Sequence, residues 1–158
     1  MEQAILLHVN GRDWSLNIDP EMPLLYALRN NLGLNGPKYG CGMALCGSCM
    51  VWLDGKAQPS CMVPCATAAA HQITTLEGIG SVEHLHPIQQ ACIEEQAAQC
   101  GYCLNGVIMC AKELLEENKN PSDTQIREAL QRVLCRCGTH TRFISAIKKA
   151  AAHVHSTQ

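Results

Sequence analysis

Residues 39–61, YGCGMALCGSCMVWLDGKAQPSC, gather four cysteines around a glycine-rich loop and a strand-like run. Three of the cysteines lie in the loop, and the fourth follows the run and an Asp-Gly turn: Cys41, Cys46, Cys49 and Cys61. An Asp-Gly pair between short apolar segments is a strong hairpin signal. The stretch therefore predicts a metal-binding loop that leads directly into a β-hairpin.

The first three cysteines have the spacing C-x4-C-x2-C, which is the plant-type ferredoxin spacing for a 2Fe–2S cluster. Two irons need four thiolates from several directions, so the loop must wrap around the cluster. Gly40, Gly42 and Gly47 allow positive φ and a close approach of the backbone. The alternative is a structural zinc site, but such sites usually pair two Cys-x2-4-Cys knuckles. The loop geometry favours the cluster.

The residues on either side of this loop predict a β-grasp fold. Apolar residues alternate on both sides of Asn10-Gly11, as in a hairpin. A helical face follows, which Gly33 is placed to end: Leu24, Leu28 and Leu32. With the second hairpin around Asp54-Gly55, the order is hairpin, helix, long loop and hairpin. This order is typical of a β-grasp domain.

The C-terminal half has a helical period instead. Four apolar stripes predict four helices: one after His86-Pro87, one over 104–115, one over 126–134 and one over 143–151. Ser122 and Gln125 form a capping-box pattern before the third helix. The fold class is therefore α+β, with a β-grasp domain over 1–76, a linker over 77–83 and a four-helix bundle over 84–158.

A second set of four thiols lies in this helical half. Cys100 and Cys103 stand where one helix is expected to begin, and Cys135 and Cys137 stand where the next is expected to end. An antiparallel helix pair would bring these ends together into one four-thiol pocket. Unpaired N–H groups of the helix start would favour thiolate charge on the first two cysteines. On spacing alone, a four-thiolate zinc site stays open here.

The three other cysteines fit neither ligand pattern: Cys65, Cys92 and Cys110. We interpret them as small buried hydrophobic residues. The chain has eleven cysteines, an odd number, and its first residues lack the features of a signal peptide, which favours metal over disulfides. We therefore expect a cytoplasmic protein, and export together with a folded partner stays open.

Charge and hydropathy exclude two classes of partner. The net charge is −2 and there is no basic run, whereas a nucleic-acid-binding surface needs concentrated positive charge. No apolar stretch approaches the roughly 20 residues that span a bilayer. We expect neither nucleic-acid binding nor membrane insertion.

Both thiol sets together carry a resemblance to a known family. The plant-type loop combined with "QCGYC" and "CRCG" resembles the small iron–sulfur subunit of the xanthine dehydrogenase and aldehyde oxidoreductase family of molybdenum hydroxylases. The likeness extends from "VNG" to "AIKKAA". It implies an electron-transfer subunit with a 2Fe–2S cluster in each set. It also implies a large partner subunit with molybdopterin, expected in its cytosine dinucleotide form, next to the helical set. The plant-type set would lie nearer an external electron acceptor, such as a cytochrome or a flavin subunit.

Within this family, "LNGPKYGCG", "HPIQQA", "QAAQCGYC" and "LCRCGTHTR" look most like small subunits of bacterial nicotinate and isoquinoline dehydrogenases. Many members have Cys-Thr-Gly after the last ligand, whereas this chain has Cys137-Gly138-Thr139, as that branch does. The branch often lacks a flavin subunit, so FAD is not assumed. The resemblance implies an N-heteroaromatic substrate. The alternatives are a four-thiolate zinc scaffold, a free ferredoxin and the small subunit of an aldehyde or carbon monoxide dehydrogenase.

No catalytic set is visible, since the chain has no nucleophile elbow, phosphate loop or dinucleotide fingerprint. By resemblance, Gln99 and Cys137 would instead contact the pterin that the partner subunit binds. An amide offers both donors and an acceptor to a polar ring. The alternative for Gln99 is a local role as the cap of a helix that begins at Cys100.

Overall fold

The structure, a computed structural model, describes residues 1–156, with side chains as far as His153, so the last two residues of the predicted helical domain lie outside it. The elements are β1 (Gln3–Val9), β2 (Arg12–Ile18), α1 (Leu24–Tyr26), β3 (Met50–Leu53), β4 (Lys56–Pro59), α2 (Cys65–Ala68), β5 (Gln72–Thr74), α3 (Pro87–Glu94), α4 (Leu104–Glu117), α5 (Asp123–Leu130) and α6 (His140–Ser156). The predicted α+β class is confirmed.

The sheet contains both predicted hairpins and one strand that the sequence did not indicate. Its order is β2-β1-β5-β3-β4. The pairs β1–β2 and β3–β4 are antiparallel, while β5 lies parallel to β1 and antiparallel to β3. Strand β5 has three residues, of which Ile73 alone is buried, so it carries no alternating pattern. Its position in the centre of the sheet completes the β-grasp.

The predicted first helix is present with an altered geometry. The α-helical turn of α1 continues as a π-helix over Ala27–Asn31. Leu24 and Leu28 are fully buried, as the predicted apolar face requires. Gly33 follows with φ +68°, a left-handed conformation that costs glycine little. The helix therefore ends where the sequence predicts, and the long cysteine loop begins.

All four predicted C-terminal helices form, but the third is shorter than predicted. Capping boxes begin α3 at His86 and α5 at Ser122. We expected the helix of α5 to extend to Leu134, and this is wrong, because it ends at Leu130. The Leu134 N–H donates to the Cys46 carbonyl at 3.0 Å instead of to its own helix. A contact with the β-grasp half thus replaces the last turn.

The two halves share packing across the sheet. Met50 of β3 and Ala57 of β4 are buried in the same apolar cluster as helices α3 to α6. The Trp52 indole N–H donates to the Met109 carbonyl at 3.1 Å. Helix α4 therefore packs on the hairpin that follows the first thiol loop, and this places the second thiol set beside the first.

Candidate metal centres

The first thiol set is shaped by the backbone of its own loop. The Cys41 sulfur accepts hydrogen bonds from the N–H groups of Met43 and Leu45, at 3.3 and 3.2 Å. The Cys46 sulfur accepts one from the Cys41 N–H at 3.4 Å. A Cβ atom on Gly40 would lie 2.7 Å from the Cys46 sulfur, so this position requires glycine. The loop backbone thus packs closely around the sulfurs of Cys41 and Cys46, which we call the outer thiols of this set.

The hydrogen bonds to Cys41 change the acidity of that thiol. The N–H groups of Met43 and then Leu45 lower the pKa of Cys41 to about 7, because they stabilise the thiolate. The inner thiols of the same set lie in a different environment. Cys49 and Cys61 are 2% and 8% exposed and pack with Leu25. Burial raises the pKa of Cys49 to about 12.

The second thiol set lies at two loops and not within helices. Cys103 is the N-cap residue of α4, and Cys100 precedes it. We predicted Cys135 and Cys137 at the end of a helix, but both lie in the connection between α5 and α6. The early end of α5 is the reason. The structure still brings the four thiols together, and the sulfurs of Cys137 and Cys100 are 3.5 Å apart.

Hydrogen bonding and burial act differently on the four thiols of this set. The Tyr102 N–H lowers the pKa of Cys100. Burial opposes ionisation of Cys135, but hydrogen bonds from the Thr139 N–H and hydroxyl outweigh it and lower its pKa to about 7. Burial raises the pKa of Cys103 to about 12. The expectation that the helix start favours thiolate charge therefore fails for Cys103, where burial is the larger effect.

In both sets the thiols are arranged as an outer and an inner pair. The outer pairs are Cys41 with Cys46 and Cys100 with Cys137, and the inner pairs are Cys49 with Cys61 and Cys103 with Cys135. A binuclear cluster takes four thiolates, two on each iron. Paired thiols therefore fit a 2Fe–2S group in both places.

The remaining cysteines behave as predicted. Cys65, Cys92 and Cys110 are 0%, 5% and 2% exposed. Burial raises the pKa of each, to about 11 for Cys65 and Cys110 and about 12 for Cys92. They are packed thiols in apolar surroundings, where ionisation is disfavoured.

Gln99 lies beside the second set and does not cap a helix. It is exposed and stands in a bend before α4, whose N-cap is Cys103. The local alternative for Gln99, as cap of a helix that begins at Cys100, is therefore wrong. Gln99 shares a recess with residues that follow Cys137: Gly138, Thr139, Thr141 and Arg142.

One residue that holds the first set in place was not found from the sequence. Asn105 is 1% exposed in the first turn of α4, and its amide N–H₂ donates to the carbonyls of Ser48 and Met50, at 3.0 and 2.9 Å. These two carbonyls flank Cys49. A polar residue on the apolar face of a helical stripe could have signalled such a contact, although the partner segment could not have been inferred.

The fold and the paired thiols define an iron–sulfur protein of the 2Fe–2S class. Residues 7–76 match the family described as 2Fe-2S iron-sulfur cluster binding domain. Residues 75–148 match the family described as [2Fe-2S] binding domain. The two matches meet at the end of the β-grasp half and together span most of the chain.

Named relatives match this chain over nearly its whole length. A nicotinate dehydrogenase subunit from Pseudomonas putida is 56% identical over 96% of both chains. The alpha subunit of isoquinoline 1-oxidoreductase from Brevundimonas diminuta is 46% identical over 90% of this chain and 94% of its own. The crystal structure of an aldehyde oxidoreductase from Desulfovibrio desulfuricans superposes with a TM-score of 0.93 at 40% identity. This superposition covers 99% of the present chain and 18% of that longer one.

The chain therefore belongs to the family of small iron–sulfur subunits of molybdenum hydroxylases. It is an electron-transfer subunit of an oxidoreductase complex and binds two 2Fe–2S clusters, while molybdopterin belongs to the partner subunit. Within the part of the chain that the structure describes, no helix combines the length and apolar character needed to cross a membrane.

Proposed function

We propose that Cys41, Cys46, Cys49 and Cys61 hold one 2Fe–2S cluster and that the second thiol set holds the other. The observation that carries this proposal is the same pairing of thiols in two unrelated backbone settings. One setting is a loop with the hairpin that follows it, and the other is a pair of helix connections. Each cluster, when bound, accepts and returns one electron at a time. The chain would thus relay singly the two electrons that a substrate leaves in the large subunit.

The residues around the sulfurs would set how readily each site accepts an electron. Hydrogen bonds to sulfur and solvent exposure are two of the factors that determine the potential of such clusters. The Met43 and Leu45 N–H groups supply such bonds in the first set, and the Thr139 hydroxyl, 3.6 Å from the Cys135 sulfur, supplies one in the second. Three of the eight thiols are buried, which limits access of water to the clusters: Cys49, Cys61 and Cys103.

We further propose that the complex oxidises an N-heteroaromatic compound such as nicotinate or isoquinoline. The support is the likeness over nearly the full chain to subunits named for those two substrates. An aldehyde is the second candidate, because the solved aldehyde oxidoreductase has the same fold. The acceptor would be a cytochrome or a flavin subunit, FAD is not assumed, and the complex would be cytoplasmic.

Gln99 and Cys137 would contact the pterin that the partner subunit binds. Both lie on the outer side of the second thiol set, and Gln99 lines the polar recess formed with the residues that follow Cys137. An exposed amide beside the exposed Cys100 and the partly exposed Cys137 can hydrogen-bond a polar ring that another chain brings to this face.

The substrate proposal is tested on the anaerobically purified complex. Nicotinate, isoquinoline and a simple aldehyde are added separately, and reduction is followed as loss of visible absorbance. We expect the heteroaromatic compounds to reduce the complex and the aldehyde to do so poorly. Fast reduction by the aldehyde alone would assign the complex to the second candidate. Iron and acid-labile sulfide assays on the same sample test the two clusters, and zinc in the second thiol set would contradict them.

Gln99→Ala tests the pterin contact. We expect substrate to reduce the second thiol set's cluster more slowly, because the partner's ring loses a polar contact, while dithionite reduces it normally. Stopped-flow absorbance of the assembled complex measures both rates. Gln58→Ala, an exposed glutamine on β4, is the matched control and should change neither rate. An unchanged substrate-driven rate in Gln99→Ala would remove the contact.

A further inference from the structure

An arginine of the last helix contacts the turn that leads to Gln99. Arg142 lies in the first turn of α6. Its Nη1 donates to the backbone carbonyl of Gln96 at 3.2 Å and to the side-chain Oε1 of the same residue at 3.3 Å. Gln96 precedes Gln99 by three residues. The contact therefore connects the segment that carries Gln99 to the helix that follows Cys137.

Gln96 has a backbone conformation that favours glycine. Its φ is +48°, and it follows Glu95, the C-cap residue of α3. The Gln96 N–H donates to the Ile93 carbonyl at 3.0 Å. The Ala97 N–H donates to the Cys92 carbonyl at 2.9 Å, which completes the usual pattern of a helix that ends in a left-handed residue. Glycine adopts this conformation at little cost, so the Gln96 side chain is present at a cost to the end of α3.

Arg142 is also unfavourable for its own helix. Helix α6 begins at His140, and its first turn contains no acidic residue. The N-terminal end of a helix carries partial positive charge, which favours acidic side chains over basic ones. Two residues that each weaken a helix end thus meet in one contact. Such departures from local preference are expected at functional positions, where another requirement outweighs stability.

The attachment of α3 to α6 does not require this contact. The Lys149 ammonium forms ion pairs with Glu94 at 2.9 Å and Glu95 at 3.1 Å, and these already connect the two helices. What Arg142 adds is a contact with the residue after the helix, in the turn toward Gln99. Its effect is therefore directed at the turn rather than at the packing of the helices.

The helix start that carries Arg142 also contacts the second thiol set. The Thr139 carbonyl accepts the Arg142 N–H at 3.0 Å, and the Thr139 hydroxyl lies 3.6 Å from the Cys135 sulfur. Thr139 is 7% exposed, and Ala97, which follows Gln96, is fully buried. Packing thus fixes both sides of the contact. Arg142 connects the thiol side of the recess to the side that carries the glutamine amide.

We propose that Arg142 is a positioning residue, which through Gln96 holds the Gln99 amide where the partner subunit's pterin can contact it. The inference rests on the proposed contact between Gln99 and the pterin. Without the guanidinium, both oxygens of Gln96 lose their donor, and the turn gains freedom. The Gln99 amide then spends less time in the geometry that a hydrogen bond to a polar ring requires. Electrons from the substrate should therefore reach the second thiol set's cluster more slowly.

The test uses Arg142→Ala in the assembled complex, after iron and acid-labile sulfide assays confirm both clusters. The reductant is whichever of nicotinate, isoquinoline and an aldehyde reduces the unmodified complex. We expect severalfold slower reduction by this substrate in stopped-flow absorbance, and an unchanged rate with dithionite. Arg142→Lys should recover part of the rate, since an ammonium keeps the charge and donates without the planar fork. Arg12→Ala, on the far edge strand β2, is the matched control and should change neither rate.

Gln96→Gly separates positioning from stability. It removes the Oε1 acceptor and relieves the left-handed backbone, so the urea midpoint should stay equal or rise. We nevertheless expect slower reduction by substrate, to a smaller extent than in Arg142→Ala, because the backbone carbonyl of residue 96 remains an acceptor. A contact that only stabilises the fold would give no slowing in this variant.

The double variant Gln99→Ala with Arg142→Ala distinguishes the possible failures. Because Arg142 acts through Gln99, its loss should add no further slowing once that amide is absent. Further slowing in the double variant, an unchanged substrate-driven rate in Arg142→Ala, or equal slowing with dithionite would overturn the inference. An unchanged rate in Gln99→Ala alone would instead contradict the pterin contact on which the inference rests.

Discussion

The two thiol sets differ in how the chain assembles them. Three thiols of the first set lie in one loop, whose N–H groups bond the sulfurs of Cys41 and Cys46, and the fourth follows the adjacent hairpin. The second joins two distant segments, and it forms only when the connection after α5 returns to the residues before α4. One set is therefore organised by local structure, and the other by tertiary packing.

The two sites are therefore sensitive to different disturbances of the fold. Local hydrogen bonds persist as long as the loop does, whereas a site built from separate helices opens when any of those helices moves. We therefore expect disturbances of the bundle to affect the second cluster before the first. The seam at Asn105, where the first turn of α4 meets the first thiol loop, is the exception, since it connects both sets.

The largest expected effect is loss of one cluster through its ligand. Cys103→Ser should abolish the second cluster and leave the first, because the first loop keeps its own hydrogen bonds. Cys46→Ser should abolish the first and weaken the second as well, because the Cys46 loop also accepts the Leu134 N–H. EPR of the reduced complexes counts the two signals. Equal loss of both signals from Cys103→Ser would contradict the local organisation of the first set. Cys65→Ser, at a buried cysteine outside both sets, is the control and should keep both signals.

Much of the fold could be predicted from the sequence, because many of its elements depend on local patterns. The cysteine spacing, the Asn10-Gly11 turn and the capping box at Ser122 are short-range signals, and the structure contains the corresponding elements. Strand β5 and the early end of α5 depend instead on partners that are distant in sequence. Strand β5 has only three residues, which pair with β1 and β3, so it shows no hydrophobic periodicity in the sequence. The hydrogen bond from the Leu134 N–H to the Cys46 carbonyl, which replaces the last turn of α5, has no sequence pattern either.

The candidate ligands could likewise be predicted, but the seam between them could not. A glycine inside a helix pattern usually indicates a packing or functional reason. At Gly106 the reason is packing, because a Cβ atom there would clash with the Gly47 carbonyl of the first loop. Only the folded structure shows this contact.

The second prediction tests the seam. Asn105→Ala should lower stability by about 1–3 kcal/mol, because two buried carbonyls lose their donor. It should also affect both clusters together, in contrast to a change in the bundle alone. Urea titrations followed by EPR measure the concentration at which each signal is lost. Asn17→Ala, an exposed asparagine on β2, is the control and should leave both midpoints in place. A shift in one signal only would mean that Asn105 serves a single set.

A smaller effect is expected from the cap of α5. Ser122→Ala removes the side-chain acceptor for the Gln125 N–H and should cost about 1 kcal/mol. Since α5 leads into the Cys135 connection, the second cluster should be lost at lower urea than in the unmodified complex, while the first is unaffected. Ser145→Ala, an exposed serine within α6, is the matched control. Equal destabilisation of both clusters would argue that the halves unfold as one unit.

The smallest effect is confined to low pH and concerns the cap of α3. His86 Nδ1 accepts the Ile88 N–H at 3.3 Å, which requires an unprotonated nitrogen. Burial, and then the charge of Lys112, lower the pKa of His86, with Lys119 acting in the same sense and Glu116 opposing. The helical half therefore contains a partly buried group that resists protonation in the folded state.

The sign of the pH dependence follows from this lowered pKa. Above about pH 6.5, the ordinary histidine value, His86 is neutral in the folded and unfolded chains, and its contribution to stability is complete. As the pH falls below that value, the unfolded chain binds the proton first, so stability decreases until the folded pKa is passed.

His86→Asn keeps a good N-cap and removes the titration. We expect the variant and the unmodified complex to lose the second cluster at similar urea concentrations at pH 8. Between pH 6.5 and 5 the unmodified complex should lose this cluster at progressively lower urea than the variant, because only its cap titrates. EPR-monitored urea titrations across this range measure the difference, and parallel curves for the two proteins would show that His86 does not link the helical half to pH.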